Sequence, residues 1–192
     1  MKKIFILFIL TSTHALAQNV NTYINKGNEY YLQLRFELAE AQYRQALEVA
    51  PANMEARYNL GNALMQQKKF KAAIEMYEGV VTSKSLRLRS AAYYNAGVSY
   101  SKQKDLVNSI EAYKNALRLN PDDMYARENL QKALYELKQQ QQQNKQNNKG
   151  GGGMDQKQAD QKLKELEQKE KELQRKIQNM PKGKGEGGGK DW

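Results

Sequence analysis

The chain of 192 residues carries 31 basic and 21 acidic side chains, and it contains no cysteine and one histidine, His14. This composition leaves no thiolate nucleophile, no disulfide and too few His or Cys side chains for the usual zinc sites. No spacing of the remaining carboxylates, hydroxyls or lysines suggests a catalytic centre. The composition therefore predicts a protein that is not an enzyme and has no catalytic, cofactor or metal site.

The net charge of +10 is spread along the chain. Nucleic-acid binding needs a concentrated basic face with stacking aromatic side chains, so no nucleic-acid partner is predicted. Weak attraction to anionic lipid headgroups is a better secondary possibility.

Residues 1–17 have the organisation of a secretory signal peptide. Lys2–Lys3 precede the apolar run Ile4–Leu10, and Ala15–Ala17 form a small-x-small cleavage site before Gln18. A membrane anchor is the alternative, but seven apolar residues are too few to span a bilayer. We expect the mature chain to begin at Gln18, to be periplasmic and to contain no transmembrane helix.

Three glycines with similar surroundings, Gly27, Gly61 and Gly97, lie 34 and 36 residues apart. A period near 34 residues with helical punctuation is typical of solenoids built from stacked helix pairs. Glycine costs about 1 kcal/mol relative to alanine inside a helix. We therefore expect each glycine to lie where a facing helix approaches closely, with Ala39 and Ala73 as small partners.

The apolar pattern, together with Pro51 and Pro121, predicts an all-α fold of three helix pairs and a capping helix over residues 18–138. The predicted pairs are Asn19–Leu34 with Phe36–Ala50, Asn53–Gln67 with Phe70–Thr82, and Leu86–Lys102 with Leu106–Asn120. A helix over Asp122–Gln140 is expected to cover the apolar side of the last pair. Asp122 and Asp123 are interpreted as its N-cap and first turn rather than as a catalytic pair.

The positions that recur in each unit are Tyr23, Gly27, Tyr30, Ala39, Tyr43, Ala46 and Pro51; then Leu60, Gly61, Leu64, Ala73, Tyr77 and Val80; then Tyr93, Gly97, Tyr100, Ser109, Tyr113, Ala116 and Pro121. This pattern resembles the tetratricopeptide repeat. The resemblance implies a protein-binding solenoid in which the first helix of each pair lines a groove.

On that resemblance, the candidate groove residues are Asn28, Tyr31, Tyr58, Asn59, Asn62, Met65, Tyr94, Asn95 and Tyr125. We expect Tyr58 and Tyr94 to face a partner, and the tyrosines at 43, 77 and 113 to lie in the core. The subclass that binds a chaperone's C-terminal carboxylate needs basic residues where Ile24, Ala91 and Asn95 stand. That specificity is therefore not expected here.

Asparagines recur at Asn25, Asn59, Asn95 and Asn129, two residues before each glycine position. Two roles are open for them. They could hold the backbone of an extended peptide, or they could bridge neighbouring first helices.

The composition changes after Lys138. Residues 139–153 contain only Gln, Asn, Lys and Gly, which predicts a flexible linker. Residues 154–180 regain helical character and carry an apolar stripe, which predicts an amphipathic or coiled-coil helix; its residues include Leu163, Leu166, Leu173 and Ile177. This stripe is expected to dock on a partner or on another copy, with a lone solvated helix as the alternative. Residues 181–192 are expected to be a disordered Lys/Gly tail.

The exported solenoid, the Gln/Asn-rich linker and the string Met154–Asp160 leading into Leu166–Glu172 resemble the BatC-type proteins of the Bacteroides aerotolerance system. The resemblance implies a periplasmic, non-catalytic partner of membrane-bound von Willebrand A-domain proteins, with a role in stress tolerance or complex assembly. Two hypotheses follow: an adaptor with defined protein partners, or a chaperone-like holdase or structural scaffold for exported envelope proteins.

Overall fold

The structure is a computed structural model, and it describes residues 20–147 together with isolated positions at 161, 164, 165, 168, 171 and 175. Seven helices follow one another in the continuous part: α1 over 20–32, α2 over Phe36–Val49, α3 over Met54–Gln66, α4 over Phe70–Val80, α5 over Leu86–Lys102, α6 over Leu106–Leu119 and α7 over Met124–Asn147. No strand occurs among these residues. The prediction of an all-α solenoid of three helix pairs followed by a capping helix is confirmed.

Four helices begin at a polar side chain that accepts a hydrogen bond from the backbone N–H three residues further on. These N-caps are Asn53, Ser85, Asp105 and Asp123, with donor–acceptor distances between 2.8 and 3.2 Å. Such caps satisfy one of the orphan N–H groups at a helix start. The Asp122–Asp123 pair thus has the predicted capping role, but the N-cap is Asp123 rather than Asp122 and the first turn begins at Met124.

The first helix of each pair ends in the same tight turn. Leu34, Lys68 and Lys104 adopt left-handed φ angles of 60°, 61° and 62°. The N–H of the next residue then bonds a carbonyl five residues back, as in the 2.9 Å bond from Arg35 N to Tyr30 O. This is a Schellman-type helix end. It reverses the chain within three residues, so the second helix of each pair runs back along the first.

A tyrosine from the second helix of each pair packs directly on the glycine of the first. A Cβ atom added at Gly61 would lie 2.6 Å from Cε1 of Tyr77. The corresponding distances are 2.5 Å for Gly27 with Tyr43 and 2.6 Å for Gly97 with Tyr113. The close approach expected at the glycines is confirmed, but an aromatic ring rather than a small alanine occupies the space. The predicted core positions of the three tyrosines are confirmed too.

The buried side chains form a core that runs from pair to pair rather than three separate cores. One cluster draws on α2 through α6 and includes Tyr43, Leu64, Tyr77, Ala96 and Ala112. A smaller cluster joins α1 to α2 and α3. Stacked repeats bury their apolar faces against their neighbours, so this continuity is the physical basis of the array.

The chain divides into two compact units, Met1–Leu137 and Lys138–Trp192. α7 extends to Asn147, whereas the sequence predicted a flexible linker from residue 139. Glutamine is a good helix former, and the capping helix supplies the nucleus from which a helix can propagate. Within the described residues, no helix combines the length and the apolar character needed to cross a membrane.

Several predictions fall outside the described residues. They are the signal peptide at 1–17, the linker beyond Asn147, the stripe at Leu163, Leu166, Leu173 and Ile177, and the tail at 181–192. The isolated positions described between 161 and 175 are helical and exposed.

Candidate protein-binding surface

The candidate residues lie on the first helices of the three pairs and on the capping helix. Those that are half-buried are Asn28, Tyr31, Asn59, Asn62, Met65 and Tyr94, and Tyr125 is exposed. The structure corrects the expected position of the other two, because Tyr58 and Asn95 are each only 8% exposed. Tyr58 is part of the core, with its ring centroid 5.9 Å from that of Tyr77. These two side chains therefore lie behind the surface rather than on it.

Hydrogen bonds from asparagine side chains link each first helix to the preceding one. Nδ2 of Asn59 donates to Oδ1 of Asn28 at 3.1 Å, which joins α3 to α1. Nδ2 of Asn95 donates to Oδ1 of Asn62 at 2.9 Å and to the hydroxyl of Tyr58 at 3.0 Å, which joins α5 to α3.

The same arrangement continues into the capping helix. Nδ2 of Asn129 donates to the hydroxyl of Tyr94 at 3.1 Å, which joins α7 to α5. Asn25, whose helix has no earlier repeat beside it, is exposed. Of the two roles left open for these asparagines, the structure therefore shows the bridging one. We call this set of bonds the asparagine ladder.

Asn28 and Asn62 also receive a hydroxyl from the core. Tyr43 donates to Oδ1 of Asn28 at 2.7 Å, and Tyr77 donates to Oδ1 of Asn62 at 2.8 Å. Each Oδ1 thus accepts two hydrogen bonds, which is the full capacity of an amide oxygen. Nδ2 of Asn28 has no acceptor among the described residues, whereas the Asn62 side chain also hydrogen-bonds the Tyr58 hydroxyl. The surface therefore offers one free amide donor, that of Asn28, on a half-buried side chain.

Burial keeps the tyrosine hydroxyls of this network neutral. It raises the pKa of Tyr77 well above its ordinary value and raises the pKa of Tyr43 as well, because a phenolate is poorly solvated there. Burial likewise raises the pKa of Tyr58, with the hydrogen bonds from Asn62 and Asn95 acting in the opposite direction. The hydroxyls therefore remain hydrogen-bond donors at neutral pH.

The third repeat departs from the other two. Val98 follows Gly97 where Asn28 and Asn62 follow their glycines, so the amide acceptor is missing. The hydroxyl of Tyr113 lies instead 3.4 Å from Oγ of Ser101. The ring arrangement is retained, since the Tyr94 and Tyr113 centroids are 5.9 Å apart, like those of Tyr58 and Tyr77.

A charged group that the sequence analysis did not identify ties α2 to the turn between α3 and α4. The Glu40 carboxylate accepts from Arg44 at 2.7 Å, from Gln67 at 2.8 Å and from Lys69 at 3.0 Å. Burial acts to raise the pKa of Glu40, but the hydrogen bonds from Arg44, Lys69 and Gln67 outweigh it and hold the pKa below its ordinary value. Only the Arg44 contact could be read from sequence spacing.

The positions that carry cations in the carboxylate-binding subclass hold none here. Ile24 is 4% exposed and belongs to the core, Ala91 is half-buried, and Asn95 is engaged in the ladder. Among the described residues, no group of three or more His, Cys, Asp or Glu side chains could hold a metal ion.

Two tetratricopeptide-repeat models match the chain, over residues 24–87 and 90–123, together slightly more than half of its length. The chain is 30% identical over 119 residues to the Hsp70-Hsp90 organising protein of Plasmodium falciparum (isolate 3D7), covering 59% of this chain and 21% of that protein. It is 29% identical over 96 residues to stress-induced-phosphoprotein 1 of Caenorhabditis elegans, covering 47% and 30%. The chain thus spans less than a third of the length of either relative.

Solved structures show the same fold. The first repeat domain of Spaghetti (RPAP3), bound to the HSP90 peptide SRMEEVD, has a TM-score of 0.59 and 25% identity, covering 62% of this chain and 94% of that one. The N-terminal domain of stress-induced protein-1 from C. elegans has a TM-score of 0.56 and 25% identity, covering 60% and 94%. MamA, at 21% identity and a TM-score of 0.59, covers 86% of each chain and supports the fold alone.

Proposed function

Because the chain belongs to the tetratricopeptide-repeat family, we propose that it is an exported, non-catalytic adaptor that joins protein partners in the periplasm. The observation that carries this proposal is the half-buried surface of the first helices. There the Nδ2 group of Asn28 has no acceptor among the described residues. Unpaired donors in a groove are costly unless water or a ligand satisfies them.

The chemistry of this surface suits an extended polypeptide segment. The Nδ2 group of Asn28 can donate to a backbone carbonyl oxygen of such a segment. The half-buried Tyr31, Met65 and Tyr94 can take its apolar side chains. A free C-terminal carboxylate is not the expected ligand, since Ile24, Ala91 and Asn95 supply no cation. Recognition would therefore rest on backbone and apolar contacts.

The finer assignment of location and partner rests on sequence features. The organisation of residues 1–17 supports export to the periplasm, and the resemblance of the tail to BatC-type proteins supports membrane-bound von Willebrand A-domain proteins as partners. A role in assembling a stress-tolerance complex at the inner membrane would fit both. The stripe at Leu163, Leu166, Leu173 and Ile177 would supply a second contact with these partners or with another copy.

The proposal is tested by capturing partners from solubilised membranes with the tagged mature chain. Asn28→Asp keeps an acceptor oxygen for Tyr43 and Asn59 but replaces the free amide donor with an oxygen that repels a carbonyl. We expect this variant to lower the recovery of partners about tenfold. That is the effect of losing one hydrogen bond and placing a negative charge against a carbonyl oxygen. Asn25→Asp on the exposed face of α1 makes the same charge change and should leave recovery unchanged.

Thermal melting of both variants must stay near that of the unmodified chain for the comparison to hold. A short, stoichiometric set of captured proteins that is lost only in Asn28→Asp supports the adaptor. Equal recovery by both variants would contradict it. A long, heterogeneous set that neither variant changes would instead favour the holdase or scaffold.

A further inference from the structure

The turns within the helix pairs lie at one edge of the solenoid. Neighbouring first helices run parallel, because the contacts between α1 and α3 move in the same direction along both helices. Asn28 accepts from Asn59, and one turn further on Tyr31 accepts from Gln66 at 3.2 Å. The turn that ends each first helix therefore falls at the same end. We call residues 32–38, 66–72 and 102–108 the turn edge, and residues 49–55, 81–87 and 119–125 the loop edge.

The two edges differ in charge. The turn edge carries six basic and two acidic side chains, and the loop edge carries two basic and three acidic ones. Lys69 and Lys104 on the turn edge are paired with Glu40 and Glu136. The remaining basic residues there are Arg35, Lys68, Lys71 and Lys102, and none has a carboxylate partner among the described residues. The positive charge that looks evenly spread along the sequence is thus concentrated on one edge by the fold.

Two leucines stand exposed at one end of this basic edge. Leu32 is 71% and Leu34 is 73% exposed, and Leu38 on the first turn of α2 is also exposed. The equivalent positions in the next repeat are Gln66, Lys68 and Ala72. Leu34 occupies the left-handed turn position at a φ of 60°, where the other repeats place a solvated lysine. The fold therefore does not require an apolar side chain at this position.

We propose that the turn edge is a membrane-docking surface that lies on anionic lipid headgroups, with Leu32 and Leu34 entering the headgroup boundary. Unpaired lysines are attracted to an anionic leaflet, and leucine side chains gain when they leave water for the acyl boundary. The two features combine as in interfacial anchors, where neither charge nor a small apolar area suffices alone. This inference goes beyond the partner-binding groove and does not depend on it.

An acidic protein partner could also meet a basic edge, but the leucines favour lipid. They protrude from a tight turn rather than line a groove or a flat face. They therefore give a protein partner little surface for shape-complementary packing. A turn of two exposed leucines flanked by cations can enter a fluid interface without a complementary pocket.

The test is binding of the chain from Gln18 to vesicles, which keeps every helix described above. One set of vesicles is phosphatidylcholine alone, and the other is an equimolar mixture with phosphatidylglycerol. We expect co-sedimentation with the anionic vesicles only, weakened by added salt. The double variant Leu32→Gln/Leu34→Lys copies the residues of the second repeat, so it should fold normally. It should bind about tenfold more weakly or worse, although it carries one more positive charge.

The direction of this change in affinity distinguishes the proposal from binding by charge alone. If charge alone acted, Leu34→Lys would strengthen binding, and this result would overturn the leucine insertion. Lys68→Glu/Lys102→Glu should weaken binding as well, whereas Lys84→Glu/Arg87→Glu on the loop edge, which changes the net charge by the same amount, should have little effect. Unchanged binding in both turn-edge variants would overturn the docking surface. A third outcome is that the unmodified chain does not bind vesicles but forms a dimer, seen by light scattering, that Leu32→Gln/Leu34→Lys loses. The leucines would then form a contact between two copies of the chain, and the docking surface would be overturned.

Discussion

The second and third repeats share a packing scheme but not its polar component. In both, a tyrosine of the second helix lies on the glycine of the first, and a second tyrosine ring stands 5.9 Å away. In the second repeat Asn62 accepts from Tyr77 and Asn95, whereas Val98 in the third can accept from neither Tyr113 nor Asn129. The glycine–tyrosine contact therefore defines the pair, and the asparagine that follows it decides how the pair is joined to its neighbour.

This difference indicates that two layers of interaction are superimposed in the array. The apolar layer is common to all three repeats, because each glycine leaves room for a tyrosine ring that a side chain would displace. The polar layer is complete only where an amide acceptor is present: Asn129 keeps the bond to Tyr94, the counterpart of Asn95 to Tyr58, and the Tyr113 hydroxyl lies near Ser101.

The largest effect should come from filling the glycine position. Gly61→Leu would force the Tyr77 ring out of its site and should lower the free energy of unfolding by about 3 kcal/mol or more. Gly79→Ala is the control. Its Cβ would lie 2.5 Å from Nη1 and 2.7 Å from Cδ of Arg57, a long and flexible side chain rather than a packed ring. A change within about 1 kcal/mol is therefore expected there. Urea denaturation of both variants provides the measurement, and equal stability of Gly61→Leu and the unmodified chain would refute the packing of α3 on α4.

A smaller loss is expected when the second repeat is made to resemble the third. Asn62→Val leaves the Tyr77 hydroxyl without its amide acceptor and removes one of the two bonds donated by the Asn95 amide, so it should cost about 1–3 kcal/mol. Adding Tyr77→Phe should recover part of this loss, because the orphaned hydroxyl is then absent. A double-mutant cycle measures the coupling between the two positions. Strict additivity would mean that the hydrogen bond contributes nothing to stability.

The smallest effect should come from the reverse change. Val98→Asn gives the third repeat the missing acceptor and should raise the free energy of unfolding by up to about 1 kcal/mol, through a bond to the Tyr113 hydroxyl. The control is the same substitution in a Tyr113→Phe background, where the gain should vanish. If Val98→Asn is destabilising in both backgrounds, the half-buried site cannot reorganise to satisfy an amide.

Much of the architecture could be predicted because helical periodicity, prolines and recurring glycines are local signals. The bounds of α5 were predicted as observed, and the turns at Lys68 and Lys104 were also located. The extension of α7 to Asn147 was not predicted. A Gln-rich composition indicates a linker, although glutamine can continue a helix that has already begun. The candidate surface was predicted less well. Tyr58 and Asn95 lie behind it. Helical spacing predicts the direction in which a side chain points, but not how far the neighbouring repeat covers it.

The sequence by itself determined the repeat, the pairing of helices and the core positions of the tyrosines at 43, 77 and 113, since these follow from spacing within about 34 residues. Only the tertiary structure decided which atoms those residues use. Whether a recurring asparagine holds a peptide or the next helix depends on what stands opposite it, and bonds such as Asn95 to Asn62 join residues that are adjacent only after the repeats have stacked. The same stacking gathers basic side chains from three turns onto one edge, because a solenoid brings equivalent positions of successive repeats into line.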